Sequence, residues 1–144
     1  MSSLLKRKPR LPEDLQRILD IKRRSGSAPD FSPYLKTPQG TMALRPIQNE
    51  MLWQASLGKG MLGLVGVGEG KTLASFLMPR VLKAQRPLLL IPASMRSQAQ
   101  ADWISYGEHF NLPSHMEMRS YEEISTQPGL LKAIMPDLIV ADEV

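Results

Sequence analysis

The chain has 144 residues, 42% apolar and 22% charged, which suits one globular domain with a core and leaves little room for two. Its formal charge of +4 is uneven: residues 1–40 carry nine Lys+Arg against four Asp+Glu, and residues 41–144 carry nine against ten. The absence of cysteine excludes disulfides and thiolate metal sites.

The positive excess is therefore an N-terminal property, open to two readings: an arm for phosphate backbones, or ordinary solvated surface. His109 and His115 show no metal-pair spacing, and the longest aliphatic run, Leu88 to Ile91, is too short for a bilayer. Lys6-Arg7-Lys8 leads into Pro9 and charges, not an apolar signal core, so an intracellular soluble protein without a membrane partner is expected.

Residues 1–10 read as a disordered basic tail. A short helix is predicted from Pro12 to Arg24, with Glu13 and Asp14 at its start, Lys22, Arg23 and Arg24 at its end, and Leu15, Ile18 and Leu19 on one stripe. That stripe would dock on the body or on nucleic acid. Ser25 to Pro29 breaks the helix, and the prolines that follow keep residues 29–46 mostly extended. The body begins near Met42, which divides the chain into a basic extension, 1–40, and a main unit, 41–144.

Within that unit Pro46 to Lys59 reads as a helix stopped by Gly58 and Gly60. Met61 to Val65 reads as a strand buried on both faces, because its apolar run lacks alternation. A glycine-rich turn and a helix over about 71–83 come next, then a buried strand at Leu88–Ile91. A helix capped by Ser94 runs to about Tyr106. His115–Ser120 is a third candidate strand, Gly129–Met135 a short helix, and Asp137–Ala141 a last strand of the buried type. Strands alternating with helices indicate an α/β fold: a parallel sheet covered on both sides.

Gly66-Val67-Gly68-Glu69-Gly70-Lys71-Thr72 lies between a predicted buried strand and a helix, the setting of a phosphate loop. Glycines let several backbone N–H groups converge on a phosphate, and the helix adds its positive dipole end. Lys71 would neutralise the terminal phosphates, and the Thr72 hydroxyl would bind Mg²⁺. The strict pattern places a further glycine where this chain has Val65, whereas the shorter G-x-G-K-T form fits Gly68 to Thr72. The bland alternative is a glycine-rich turn with an incidental lysine.

The last strand ends in Asp142-Glu143, the second half of such a site. Asp142 would hold the metal shell and Glu143 would polarise the attacking water. In isolation an acid pair after a strand is also a common surface loop; together with the glycine loop it is a much stronger signal than either alone.

With both motifs in place, residues 42–144 resemble the first RecA-like domain of superfamily 2 helicases and translocases, closer to the DEAH, Swi/Snf-like and type III restriction branches than to DEAD-box proteins. Leu44-Arg45-Pro46-Ile47-Gln48 looks like the motif that reads adenine, placed 20 residues before Gly68. The resemblance assigns a bidentate adenine contact to Gln48, with Arg45 beside it; the alternative is an ordinary helix start at Pro46. Gly68, Glu69, Gly70, Lys71 and Thr72 match the family's phosphate loop. Ile91-Pro92-Ala93-Ser94 with Gln98 and Trp103 resembles a segment that touches nucleic-acid backbone, where Ser94 and Arg96 would supply contacts; simple capping and a buried Trp103 explain it equally well. Ser120-Tyr121-Glu122 is loosely similar to a later nucleic-acid-facing motif.

Asp142-Glu143-Val144 would open a DExH box, and the family's coupling motif, second RecA-like lobe and arginine finger would follow. The resemblance thus implies an incomplete P-loop NTPase (RecA-like) sheet with flanking helices: an ATP- and Mg²⁺-binding lobe of a helicase or translocase, acting on DNA ahead of RNA. This reading expects weak ATP binding and no meaningful hydrolysis by the isolated chain. Two alternatives stay open: a P-loop NTPase or kinase of another branch, and a non-catalytic lobe that binds nucleic acid or a motor subunit.

Overall fold

The structure is a computed structural model that describes residues 13, 27–63, 65–66 and 68–142. Apart from Glu13, the predicted helix at 12–24 lies outside the described residues, as do the basic tail, Glu143 and Val144.

The elements are α1 (Ser32–Leu35), α2 (Pro46–Gly58), α3 (Lys71–Leu82), β1 (Pro87–Ile91), a 3₁₀ turn at Ala93–Met95, α4 (Arg96–Gly107), β2 (Glu117–Ser120), α5 (Tyr121–Thr126), α6 (Leu130–Ile134) and β3 (Leu138–Ala141). The three strands form one parallel sheet in the order β2-β1-β3, with Leu89 paired to Met118 on one side and to Val140 on the other. Parallel neighbours need crossovers, here α4 between β1 and β2, and α5 with α6 between β2 and β3. The α/β expectation is met at this level: a small parallel sheet with helices.

Two apolar clusters hold the layers together. Leu52 and Ala55 of α2 meet Leu73, Leu77 and Met78 of α3, with Leu35, Leu44 and Phe110 closing the group. Phe76, on another side of α3, packs on Leu89 and Ile91 of β1 and Ala99 of α4. Trp103 lies edge-on to Phe76 at 5.1 Å between ring centroids, so it is a packing residue flanking the core. α3 thereby serves both clusters, which explains why all residues from Leu73 to Pro79 are buried.

The stretch 29–46 is more structured than its prolines suggest. α1 interrupts it, and Leu35 and Leu44 enter the core. The Ser32 hydroxyl accepts the Leu44 N–H at 2.8 Å, and Asn49 Oδ1 accepts the Phe31 N–H at 2.9 Å. Further on, Asn111 donates its backbone N–H to the Leu35 carbonyl at 2.7 Å and its amide to the Lys36 carbonyl at 2.9 Å. Gly40 sits so close to the His109 carbonyl that a side-chain carbon there would collide with it. Residues that the sequence groups with the basic extension thus strap α2 to the loop after α4.

The predicted strand at 61–65 is not seen among its described residues: Met61–Gly63 and Val65 carry no strand hydrogen bonding, and Leu62 is 89% exposed. Gly60, Gly63 and Gly66 punctuate this run and weaken its extended preference, and no described strand lies alongside it. β3 also departs from the buried type. Leu138 and Val140 pack inward while Ile139 is 48% exposed, because β3 is an edge strand with one face covered. Finally, Ser94 does not cap α4. It falls inside the 3₁₀ turn, and the α-helix starts at Arg96. No helix among the described residues is long and apolar enough to cross a membrane.

Candidate functional site

The glycine loop depends on backbone that other residues avoid. Gly68 and Gly70 have φ of 80° and 78°, the left-handed region where a Cβ is strained. Gly70 is the N-cap of α3, which makes Lys71 and Thr72 its first two residues, at the positive end of the helix dipole. Glu69 is exposed, whereas Lys71 and Thr72 are half-buried.

Across the sheet, the Asp142 N–H donates to the Leu90 carbonyl at 2.9 Å, continuing the β1–β3 ladder one residue past the strand. The Tyr121 hydroxyl donates to the Asp142 carbonyl at 2.7 Å, so this backbone is held from both sides. A cavity of about 20 Å³ lies here, lined by Thr72 and Asp142 together with Leu89, Ile91, Met95, Gln98, Ala99 and Asp102. That is room for about one water-sized occupant. The first turn of α3 and the tip of β3, remote in sequence, therefore meet at the same end of the sheet.

Gln98 and Asp102 were not singled out in the sequence as members of this wall. Their four-residue spacing on α4, flanked by the cavity residues Met95 and Ala99, is the signal that could have found them. In the structure the Gln98 amide donates to Asp102 Oδ1 at 2.8 Å. Tyr121, only loosely noted from the sequence, here positions the Asp142 backbone.

Arg45 and Gln48 reach the loop from α2. The Arg45 guanidinium donates to the Gly68 carbonyl at 2.8 Å, and Gln48 Nε2 donates to the Gly70 carbonyl at 2.9 Å. Gln48 Oε1 accepts the Arg45 backbone N–H at 2.8 Å, closing the first turn of α2.

Arg96 is engaged within the fold. Its guanidinium donates to Glu123 Oε2 and to the Met118 carbonyl, both at 3.2 Å. Glu123 is held below the usual carboxylate range chiefly by the Ser120 N–H, with Arg96 and Arg119 assisting against partial desolvation. Ser94 stays exposed. The capping and packing reading of that segment holds in part: Trp103 is half-buried against Phe76, while Ser94 does not cap α4. Glu143 lies outside the described residues.

Comparison with protein-family models, with curated proteins and with solved structures found no match for this chain.

Proposed function

We propose that the chain binds ATP with Mg²⁺ at the C-terminal end of its parallel sheet and acts as the ATP-binding lobe of a helicase or translocase working on nucleic acid, DNA ahead of RNA. One observation carries the reading: Thr72, which follows Lys71 at the start of α3, lines one cavity with Asp142 at the tip of β3. A glycine turn with left-handed residues, a helix N-terminus and a strand-end carboxylate at one sheet end suit a polyphosphate and a hard cation.

Among the described residues no cluster of three or more His, Asp or Glu could hold a metal by itself. Mg²⁺ does not require one, since it is commonly held by one or two carboxylates, waters and the phosphates themselves. Thr72 and Asp142 offer the oxygen donors for that role, and the ion would offset phosphate charge. Lys71 would add a positive charge to the same end, and the α3 backbone would present its first N–H groups.

Titration with a fluorescent ATP analogue in Mg²⁺ tests this. Saturable binding by the 144-residue chain, weakened about 10- to 100-fold in Lys71→Ala, is the expected result for losing one charge-assisted phosphate contact. Equal affinity in both proteins would refute it. Adding single-stranded DNA and RNA at several salt concentrations tests the nucleic-acid part, which predicts affinity that falls with salt.

A further inference from the structure

We propose that Arg45 and Gln48 form a latch that sets the backbone of the glycine loop, and that Gln48 does not read the base. The site then selects its ligand by the triphosphate and accepts adenine and guanine nucleotides alike. The inference rests on the phosphate-site reading above and specifies what that site discriminates.

Gln48 is only 3% exposed, and both ends of its amide are in use. Its oxygen accepts the Arg45 N–H and its nitrogen donates to the Gly70 carbonyl. A bidentate contact to an adenine edge needs that oxygen and nitrogen together on one accessible face. Each atom keeps one further lone pair or N–H, but with the side chain 3% exposed, swinging that edge out to meet a base would break both hydrogen bonds and strand the Gly70 carbonyl.

The carbonyls held are those of Gly68 and Gly70, the two glycines with left-handed backbone among the described residues. In a trans peptide the C=O and the following N–H point in opposite directions. Drawing the Gly68 and Gly70 carbonyls toward α2 therefore aims the N–H groups of Glu69 and Lys71 away from α2. That orientation presents backbone donors on the other side of the loop, as anion-binding turns do. Fit is close enough that a Cβ on Gly70 would collide with the Gln48 amide nitrogen.

The test compares ATP, GTP and inorganic tripolyphosphate, each with Mg²⁺, on the wild-type chain and on Gln48→Ala, Gln48→Glu and Arg45→Ala. Arg45 is exposed, so its variant keeps the experiment readable if a change at buried Gln48 impairs folding. The wild type should bind ATP and GTP within about threefold of each other. Gln48→Ala should weaken all three ligands by one common factor, about tenfold for a lost buried hydrogen bond. Gln48→Glu should be no better, because a carboxylate would face the Gly70 carbonyl. Arg45→Ala should weaken all three equally by about threefold. Amide hydrogen exchange without ligand should be faster at Glu69 and Lys71 in these variants. A wild-type preference for ATP above tenfold, removed by Gln48→Ala with tripolyphosphate binding unchanged, overturns the latch alone. Binding of none of the three ligands more tightly than by Lys71→Ala overturns the phosphate site and the latch together.

Discussion

Asp137 and Asp142 bracket the same strand, β3, and are used in opposite ways. At the entry to the strand, the two oxygens of Asp137 accept the N–H groups of Gln85 and Arg86 at 2.7 and 2.8 Å, tying the start of β1 to the start of β3. The Arg86 side chain returns to the Met135 carbonyl at 2.7 Å, and the end is stitched shut. At the exit Asp142 is anchored through its N–H and its carbonyl, and it lines a cavity with Thr72. A carboxylate absorbed by backbone donors stabilises a join; under the proposed function the Asp142 carboxylate, at a strand tip beside a cavity, would meet a ligand. On the proposed function, the two ends of the sheet would divide stability from binding.

The sharpest way to break that separation is at Lys71. Lys71→Ala is expected to weaken triphosphate binding about 10- to 100-fold while leaving the unfolding temperature within a degree or two. A large loss of stability would show that the glycine end is also a structural join. Gly70→Ala comes next, since a left-handed conformation costs a non-glycine residue about 1–2 kcal/mol and the added carbon meets Gln48. It should lower both affinity and unfolding temperature.

Asp137→Ala should do the reverse of Lys71→Ala, lowering the unfolding temperature by a few degrees with triphosphate affinity unchanged, checked by thermal melts and titration side by side. Acid sharpens the same contrast. Asp137 titrates below its ordinary value, first because of the Gln85 N–H and then the Arg86 N–H, against some desolvation. Asp30 is lowered chiefly by the Ser32 hydroxyl, and Glu123 chiefly by the Ser120 N–H. The folded chain therefore holds these carboxylates ionised more strongly than the unfolded chain does, so unfolding in acid takes up protons. Their contribution is complete above the ordinary carboxylate values of 3.8 and 4.5 and is lost as pH falls through the lowered ones. Unfolding temperature should stay level from about pH 7 to 5 and drop below about pH 4, less steeply in Asp137→Asn. Smallest of all is Arg96→Ala, expected to change unfolding temperature by no more than a degree or two, because its pair with Glu123 is partly solvent-exposed.

What could be read from the sequence follows from how local each determinant is. Pro46 at a first helical position and Gly70-Lys71 at a loop-to-helix junction are local signals, and α2 and α3 start where those residues place them. The aliphatic run at Leu88–Ile91 is dense enough to mark a central strand. Met61–Val65 has similar composition, but a strand exists only with a neighbour, and pairing is a tertiary fact that composition does not carry. Leu35 and Leu44 gave no periodicity by which to see that they enter the core at either end of the strap. At the site, Thr72 and Asp142 were readable as chemistry. The engagement of Gln48 by the Gly70 carbonyl was not, since it depends on how α2 docks on the loop.

Cation linkage at the open end is the most direct test of the whole account. ATP affinity should be measured with Mg²⁺ and with EDTA for the wild-type chain and for Asp142→Asn. Mg²⁺ should tighten ATP binding by about tenfold or more in the wild type, and that gain should vanish in Asp142→Asn while the EDTA affinities agree. A Mg²⁺ effect of the same size in both proteins would contradict the placement of a metal–triphosphate site between α3 and the tip of β3.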